Sequence, residues 1–116
     1  MTPRKYRGVV IKESLKDPQL LKDVEVISEK VTSEDDPSER WHIYEMSVSR
    51  ADIGRLAQNI KSPLWYMHFW QGGEIIVGFQ DRLFAFTDDD EATRDKVIKH
   101  GLKLGIPREQ LDFKIK

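Results

Sequence analysis

The densest group of residues able to bind a ligand or move a proton lies at residues 65–70, with the sequence WYMHFW. A β-strand sends alternate side chains to opposite faces, so Tyr66, His68 and Trp70 would share one face. Each of these rings combines an apolar body with a polar atom, a combination typical of pockets and protein interfaces. The opposite face, which includes Met67, is apolar and suits a core beneath helices.

A second candidate strand, residues 41–48 (WHIYEMSV), repeats this mixture. Alternation places His42 and Tyr44 together on one face and Glu45 on the other. If the two candidate strands are neighbours, their side chains form one cluster of aromatic and histidine residues. The members of that predicted cluster are His42, Tyr44, Tyr66, His68 and Trp70.

Three interpretations of this cluster follow from its chemistry. It could form a pocket for a small ligand, or the self-complementary face of a homodimer or another protein interface. It could also simply cover a sheet, with its histidines hydrogen-bonded at the edge. The sequence favours a non-catalytic domain that binds a small ligand or a protein. The alternative is a small enzyme with His68 or His42 as general base, because histidine titrates near neutral pH.

No pattern in the sequence predicts a metal site or a cofactor site. The acidic run at residues 88–91 opens a predicted helix, where carboxylates cap free N–H groups and the helix dipole opposes a bound cation. His42, His68 and His100 lack the close helical spacing of zinc-binding histidines. There is no cysteine, no spaced glycine pattern for a dinucleotide and no phosphate-binding loop.

The charge balance limits the partners that the sequence predicts. Nineteen basic and twenty acidic side chains give a formal charge of −1, which offers no overall attraction for a polyanion. Basic residues at positions 4, 5, 7 and 12 beside sheet aromatics leave single-stranded nucleic acid as a second, weaker alternative. The absence of cysteine and of any long apolar segment predicts a soluble, cytoplasmic protein without a membrane span.

The coarse pattern of elements predicts one α+β domain over residues 1–116, in the order β-α-β-β-α-β-β-β-α. The sheet should be mixed and largely antiparallel, with residues 6–12 in its interior and the helices mostly on one face. Two main helices start near Ser49 and residues 88–91, and a short one follows Asp17. The predicted strands cover residues 6–12, 24–32, 41–48, 64–70, 74–80 and 83–87. The tail, residues 108–116, should add a helical turn and a short edge strand.

Overall fold

The computed structural model describes residues 5–33, 40–108 and 111. These residues form six strands, two α-helices and two 3-10 segments, so the predicted α+β fold is confirmed. The acidic segment at residues 34–39 and most of the predicted tail at residues 108–116 lie outside the described residues. The strands are β1 (Tyr6–Ile11), β2 (Glu25–Val31), β3 (His42–Val48), β4 (Tyr66–Gln71), β5 (Glu74–Phe79) and β6 (Leu83–Thr87). The helices are α1 (Arg50–Gln58) and α2 (Glu91–Lys103), and the 3-10 segments are Lys12–Ser14 and Pro18–Asp23.

The strands form a single sheet in the order β2-β3-β1-β4-β5-β6. Each pair of neighbours is antiparallel, including β1 with both β3 and β4. The first strand of the chain therefore lies in the interior of the sheet, as its contiguous valines predicted. Val10, at its centre, is 1% exposed.

The start of α1 follows directly from its sequence. The Ser49 side chain accepts a hydrogen bond from the backbone N–H of Asp52 at 3.2 Å, and the Asp52 carboxylate accepts one from the backbone N–H of Ser49 at 3.1 Å. This reciprocal capping box satisfies two N–H groups that would otherwise lack partners. Ile53 and Leu56, three residues apart on one face of α1, are buried in the core.

Both ends of α2 are closed by side-chain or backbone hydrogen bonds. Asp90 is the N-cap, and its carboxylate accepts hydrogen bonds from the backbone N–H and the hydroxyl of Thr93. At the other end, Gly105 has a φ of 99°, a conformation that favours glycine. The N–H groups of Gly105 and Ile106 donate to the carbonyls of Leu102 and Gly101, which is a Schellman motif.

The two helices pack on opposite faces of the sheet, so the expectation that they lie mostly on one face is wrong. Ile76 of β5 belongs to the core around α1, whereas Val77 and Phe79 belong to the core around α2. The five consecutive residues 75–79 are all buried. A strand that is apolar on both sides must be covered on both sides, and each helix supplies one cover.

We call the two sides the α1 face and the α2 face. The α1 face includes Met46, Met67 and Ile76, and the α2 face includes Ile75 and Val77. The core around α2 draws on β5 and β6. On the same face, the β1 and β3 side chains of Val9, Ile11 and Ile43 are only partly buried. This half of the α2 face carries the candidate site.

Candidate functional site

An apolar groove of about 280 Å³ opens on the α2 face, where β1 ends and β3 and β4 begin. Its size lies close to the lower end of the range for small-molecule pockets, which is about 300–1,000 Å³. We call it the aromatic groove because half of its residues carry rings. Its lining consists of Val9, Ile11, Trp41, Leu64, Trp65, Tyr66, Met67 and His68.

The strand register explains why these residues meet. Val9 of β1 lies directly opposite His68 of β4, so the two side chains share the α2 face. Ile11 lies opposite Ile43 of β3, and Trp41 comes two residues earlier on the same face by alternation. The groove therefore has a floor of aliphatic β1 side chains between aromatic side chains from either side.

Two tryptophans form a corner of the aromatic groove. The ring centroids of Trp41 and Trp65 are 5.2 Å apart and their planes are inclined by 66°, an edge-to-face arrangement that aromatic pairs prefer. Trp41 is 39% exposed and Leu64 at the rim is 55% exposed. Large apolar side chains at this level of exposure, grouped around a concavity, are typical of a binding surface.

The lining of the groove contains no Asp, Glu, Lys or Arg. Its polar side-chain atoms belong to Tyr66, His68 and the two tryptophans. Its other polar atoms are backbone groups. A ligand held here gains its binding energy mainly from apolar and aromatic contact, because no charged side chain lines the groove to pair with it.

Of the five residues predicted as site candidates, Tyr66 and His68 line the aromatic groove. Trp70 lies on the same face but is only 4% exposed and is not part of the lining. Its ring centroid lies 5.3 Å from that of His68, so it supports the groove from behind. The interpretation of Trp70 as a direct ligand contact is not supported by this position.

His42 and Tyr44 lie on the opposite face, so the structure does not bring them together with Tyr66, His68 and Trp70. Tyr44 pairs with Val10, whose side chain is in the core around α1. In addition, β1 lies between β3 and β4, so the two strands that carry the histidines are not neighbours. The two strands have a similar composition, but the histidine and tyrosine of β3 lie on the α1 face, whereas those of β4 lie on the α2 face.

His42 is held by a carboxylate from the 3-10 segment Lys12–Ser14. Glu13 Oε1 accepts the backbone N–H of His42 at 2.7 Å, and Glu13 Oε2 lies 2.8 Å from His42 Nδ1. Partial burial would raise the pKa of Glu13, but these hydrogen bonds from His42 outweigh it and leave the pKa below its usual value. The pair therefore fastens the 3-10 segment to β3.

Tyr44 sits beside this pair without forming a pocket with it. Burial raises the pKa of the Tyr44 hydroxyl, and the charge and hydrogen bond of Glu29 raise it further. Tyr44 is therefore a neutral hydrogen-bonding group at neutral pH. It packs partly against the core around α1.

The third histidine, His100, is also paired with a carboxylate. Its Nε2 lies 2.9 Å from Asp81 Oδ1, and its ring contacts Phe79 and Phe84 edge-to-face. The hydrogen bond from His100 holds the pKa of Asp81 below its usual value. This pair joins α2 to the loop between β5 and β6, away from the aromatic groove.

Six groove residues were not among the predicted site residues, namely Val9, Ile11, Trp41, Leu64, Trp65 and Met67. The signal for Trp41 was present, since alternation from Ile43 places Trp41 on the face opposite His42. Trp65 was assigned to the core face of β4. It lies just before the strand begins, where it contacts both the core and the groove.

Within the described residues, no three His, Asp or Glu side chains come together as ligands for a metal ion. In the same part of the chain, no helix is both long enough and apolar enough to span a membrane.

No protein-family model, curated protein or solved structure gave a significant match to the chain. The geometry of the aromatic groove is therefore the basis for a functional assignment.

Proposed function

We propose that this protein is a non-catalytic binding domain that holds the apolar part of a small ligand in the aromatic groove. The observation that carries the proposal is the lining itself, in which four aromatic or imidazole rings and the aliphatic side chains of Val9, Ile11 and Leu64 surround about 280 Å³. Concave, mostly apolar sites with a few polar atoms are the usual form of small-molecule pockets.

The position of the histidine–carboxylate pairs favours binding over acid–base catalysis. A catalytic histidine needs both an orienting group and access to a substrate. The His42–Glu13 pair is on the other face of the sheet, and the His100–Asp81 pair joins α2 to the loop between β5 and β6. Neither pair faces the aromatic groove, so neither can act as an acid or base on a ligand held there.

A protein partner, including a second copy of this chain, is the second candidate, and the exposed rim of the groove favours it. Leu64 and Trp41 are the kind of side chains that become buried at the centre of interfaces. We prefer small-ligand binding because the groove is concave and encloses about 280 Å³, whereas a flat protein interface needs no such cavity.

The proposal is tested by titrating the ¹⁵N-labelled protein with indole and with 3,3-dimethylbutan-1-ol. We expect amide shifts at Val9, Ile11 and His68. Trp41→Ala should weaken binding about tenfold, which corresponds to 1.4 kcal/mol. Leu102→Ala is the matched control, because Leu102 is 39% exposed, as is Trp41, but lies on α2.

Two results would contradict small-ligand binding. Shifts that map outside the aromatic groove would show that the groove is not the site. Concentration-dependent sedimentation that Trp41→Ala abolishes, without any ligand-induced shift, would assign the same surface to self-association.

A further inference from the structure

We propose that the ligand of the aromatic groove is a small quaternary ammonium compound, held by cation–π contacts. This inference rests on the proposed function, since it names the class of ligand for the same site. Cations are attracted to the faces of aromatic rings, most strongly to tryptophan, and recognition of quaternary ammonium groups is a well-established use of this attraction.

The shape of the corner favours a rounded group over a flat one. Trp41 and Trp65 are inclined by 66°, and Tyr66 also lines the groove. A flat aromatic ligand can stack on only one of two inclined rings. A trimethylammonium group is nearly spherical, so it can contact both walls of the corner at once.

The chemistry of the lining favours a cation that has no N–H groups. A primary ammonium has three donors and a guanidinium has five, and burying them without acceptors costs free energy. No carboxylate lines the groove to accept such hydrogen bonds. A quaternary ammonium group has no donor to satisfy, and its methyl groups match the aliphatic floor formed by Val9 and Ile11.

The charge of the lining also favours a cation over an anion. No Lys or Arg lines the groove. An anion held there would therefore have no cationic side chain in the lining to pair with, and burying it unpaired costs free energy.

The test compares choline with 3,3-dimethylbutan-1-ol, which replaces the charged nitrogen with carbon and keeps the same shape. Titrations followed by NMR should show choline binding about 5- to 30-fold more tightly than its neutral counterpart. This ratio corresponds to a cation–π contribution of about 1–2 kcal/mol. The choline-induced shifts should map to the aromatic groove.

Variants at one position separate charge recognition from apolar contact. Trp41→Leu keeps an apolar wall and removes the ring, so the preference for choline should fall to about twofold or less. Trp41→Phe keeps a weaker ring and should retain part of the preference. Leu102→Ala should leave both affinities unchanged.

The outcomes distinguish this inference from the proposed function. Equal or tighter binding of the neutral alcohol would overturn the quaternary ammonium proposal and leave the apolar groove as a ligand site. Failure of both compounds and of indole to bind in the millimolar range would overturn both proposals.

Discussion

The side chain of Glu13 shows how one carboxylate can hold an irregular segment in place. It accepts hydrogen bonds from both the backbone and the ring of His42, so the 3-10 segment Lys12–Ser14 is tied to β3 by two contacts. Hydrogen bonds that involve a charged group are stronger than those between neutral groups. The side chains of Glu13 and His42 are 31% and 36% exposed, which moderates this gain because water screens the pair.

We expect Glu13→Gln to lower the free energy of unfolding by about 0.5–1 kcal/mol at pH 7. Because the pKa of Glu13 is lowered in the folded protein, its contribution is complete above the pKa of the unfolded chain and is lost as the pH falls. The difference between wild type and variant should therefore shrink toward pH 3. Urea unfolding of both proteins at pH 7 and at pH 3 measures this difference in free energy.

The matched control for this measurement is Glu25→Gln, which neutralises an exposed carboxylate on β2. It should change the free energy of unfolding by less than about 0.5 kcal/mol at either pH. A Glu13→Gln difference that stays constant from pH 7 to pH 3 would contradict the role given to the ionised carboxylate.

The histidine-containing strands illustrate which residues could be assigned from sequence. Alternation within each strand was correct, because His42 and Tyr44 do share one face and Tyr66 and His68 share another. The relative orientation of the two strands was not predicted correctly, because it depends on which alternate set of side chains in each strand faces α1. In β3 the set with His42 includes Met46, which is fully buried in the core around α1.

At the scale of elements, the ends of helices were predictable because their signals are local. Ser49, near which a main helix was predicted to start, forms a capping box with Asp52. Asp17 accepts the N–H of Gln19 at the start of the predicted short helix, and Gly105 ends α2. Each of these contacts joins residues close in sequence. The insertion of β1 between β3 and β4 depends on pairings between distant residues, which local patterns do not specify.

The two-sided cover of β5 also had a signal in the sequence. Residues 75–79 (IIVGF) contain no polar residue, whereas a strand with one solvated face alternates apolar and polar side chains. That run therefore indicates a strand buried on both faces. The prediction that the helices lie mostly on one face did not account for it.

A close approach between β1 and β4 depends on glycine at position 8. A Cβ atom added to Gly8 would overlap the ring of Phe69, which is fully buried in the core. We expect Gly8→Ala to lower the free energy of unfolding by about 1–3 kcal/mol, because the ring cannot move without disturbing its neighbours. Chemical unfolding measures this loss.

Gly54 in α1 provides a control of opposite sign for the same substitution. A Cβ atom added there has no atom within 4 Å. Alanine is the better helix former, so Gly54→Ala should raise the free energy of unfolding by up to about 1 kcal/mol. Equal effects at the two positions would contradict the role assigned to the contact between Gly8 and Phe69.

At the scale of the whole molecule, several carboxylates make the fold sensitive to acid. A hydrogen bond from His100 lowers the pKa of Asp81, and hydrogen bonds from Thr93 lower that of Asp90. Burial raises the pKa of Asp52, but hydrogen bonds from Arg55 and Ser49 outweigh it and lower the pKa overall. Groups with a lowered pKa in the folded state stabilise it above their unfolded pKa and lose that effect as the pH falls.

We expect the urea midpoint to fall steadily between about pH 5 and pH 3, the range in which these carboxylates take up protons. Asp81→Asn should make that decline shallower, because one of the contributing groups no longer titrates. Asp95→Asn, at an exposed position on α2, should leave the slope nearly unchanged. Identical slopes in wild type and Asp81→Asn would contradict the contribution of the His100–Asp81 pair.

The central place of β1 has a consequence for the order of events during synthesis. The ribosome makes β1 before both of its partners, which end at Val48 and Gln71. Until then the apolar run at residues 9–11 has no sheet to join, and such unpaired segments promote aggregation. The hairpin β2–β3 and the meander β4–β5–β6 become one sheet only when β1 enters between them. Closing the six-stranded sheet therefore requires β1 to pair with two strands that are both synthesised after it.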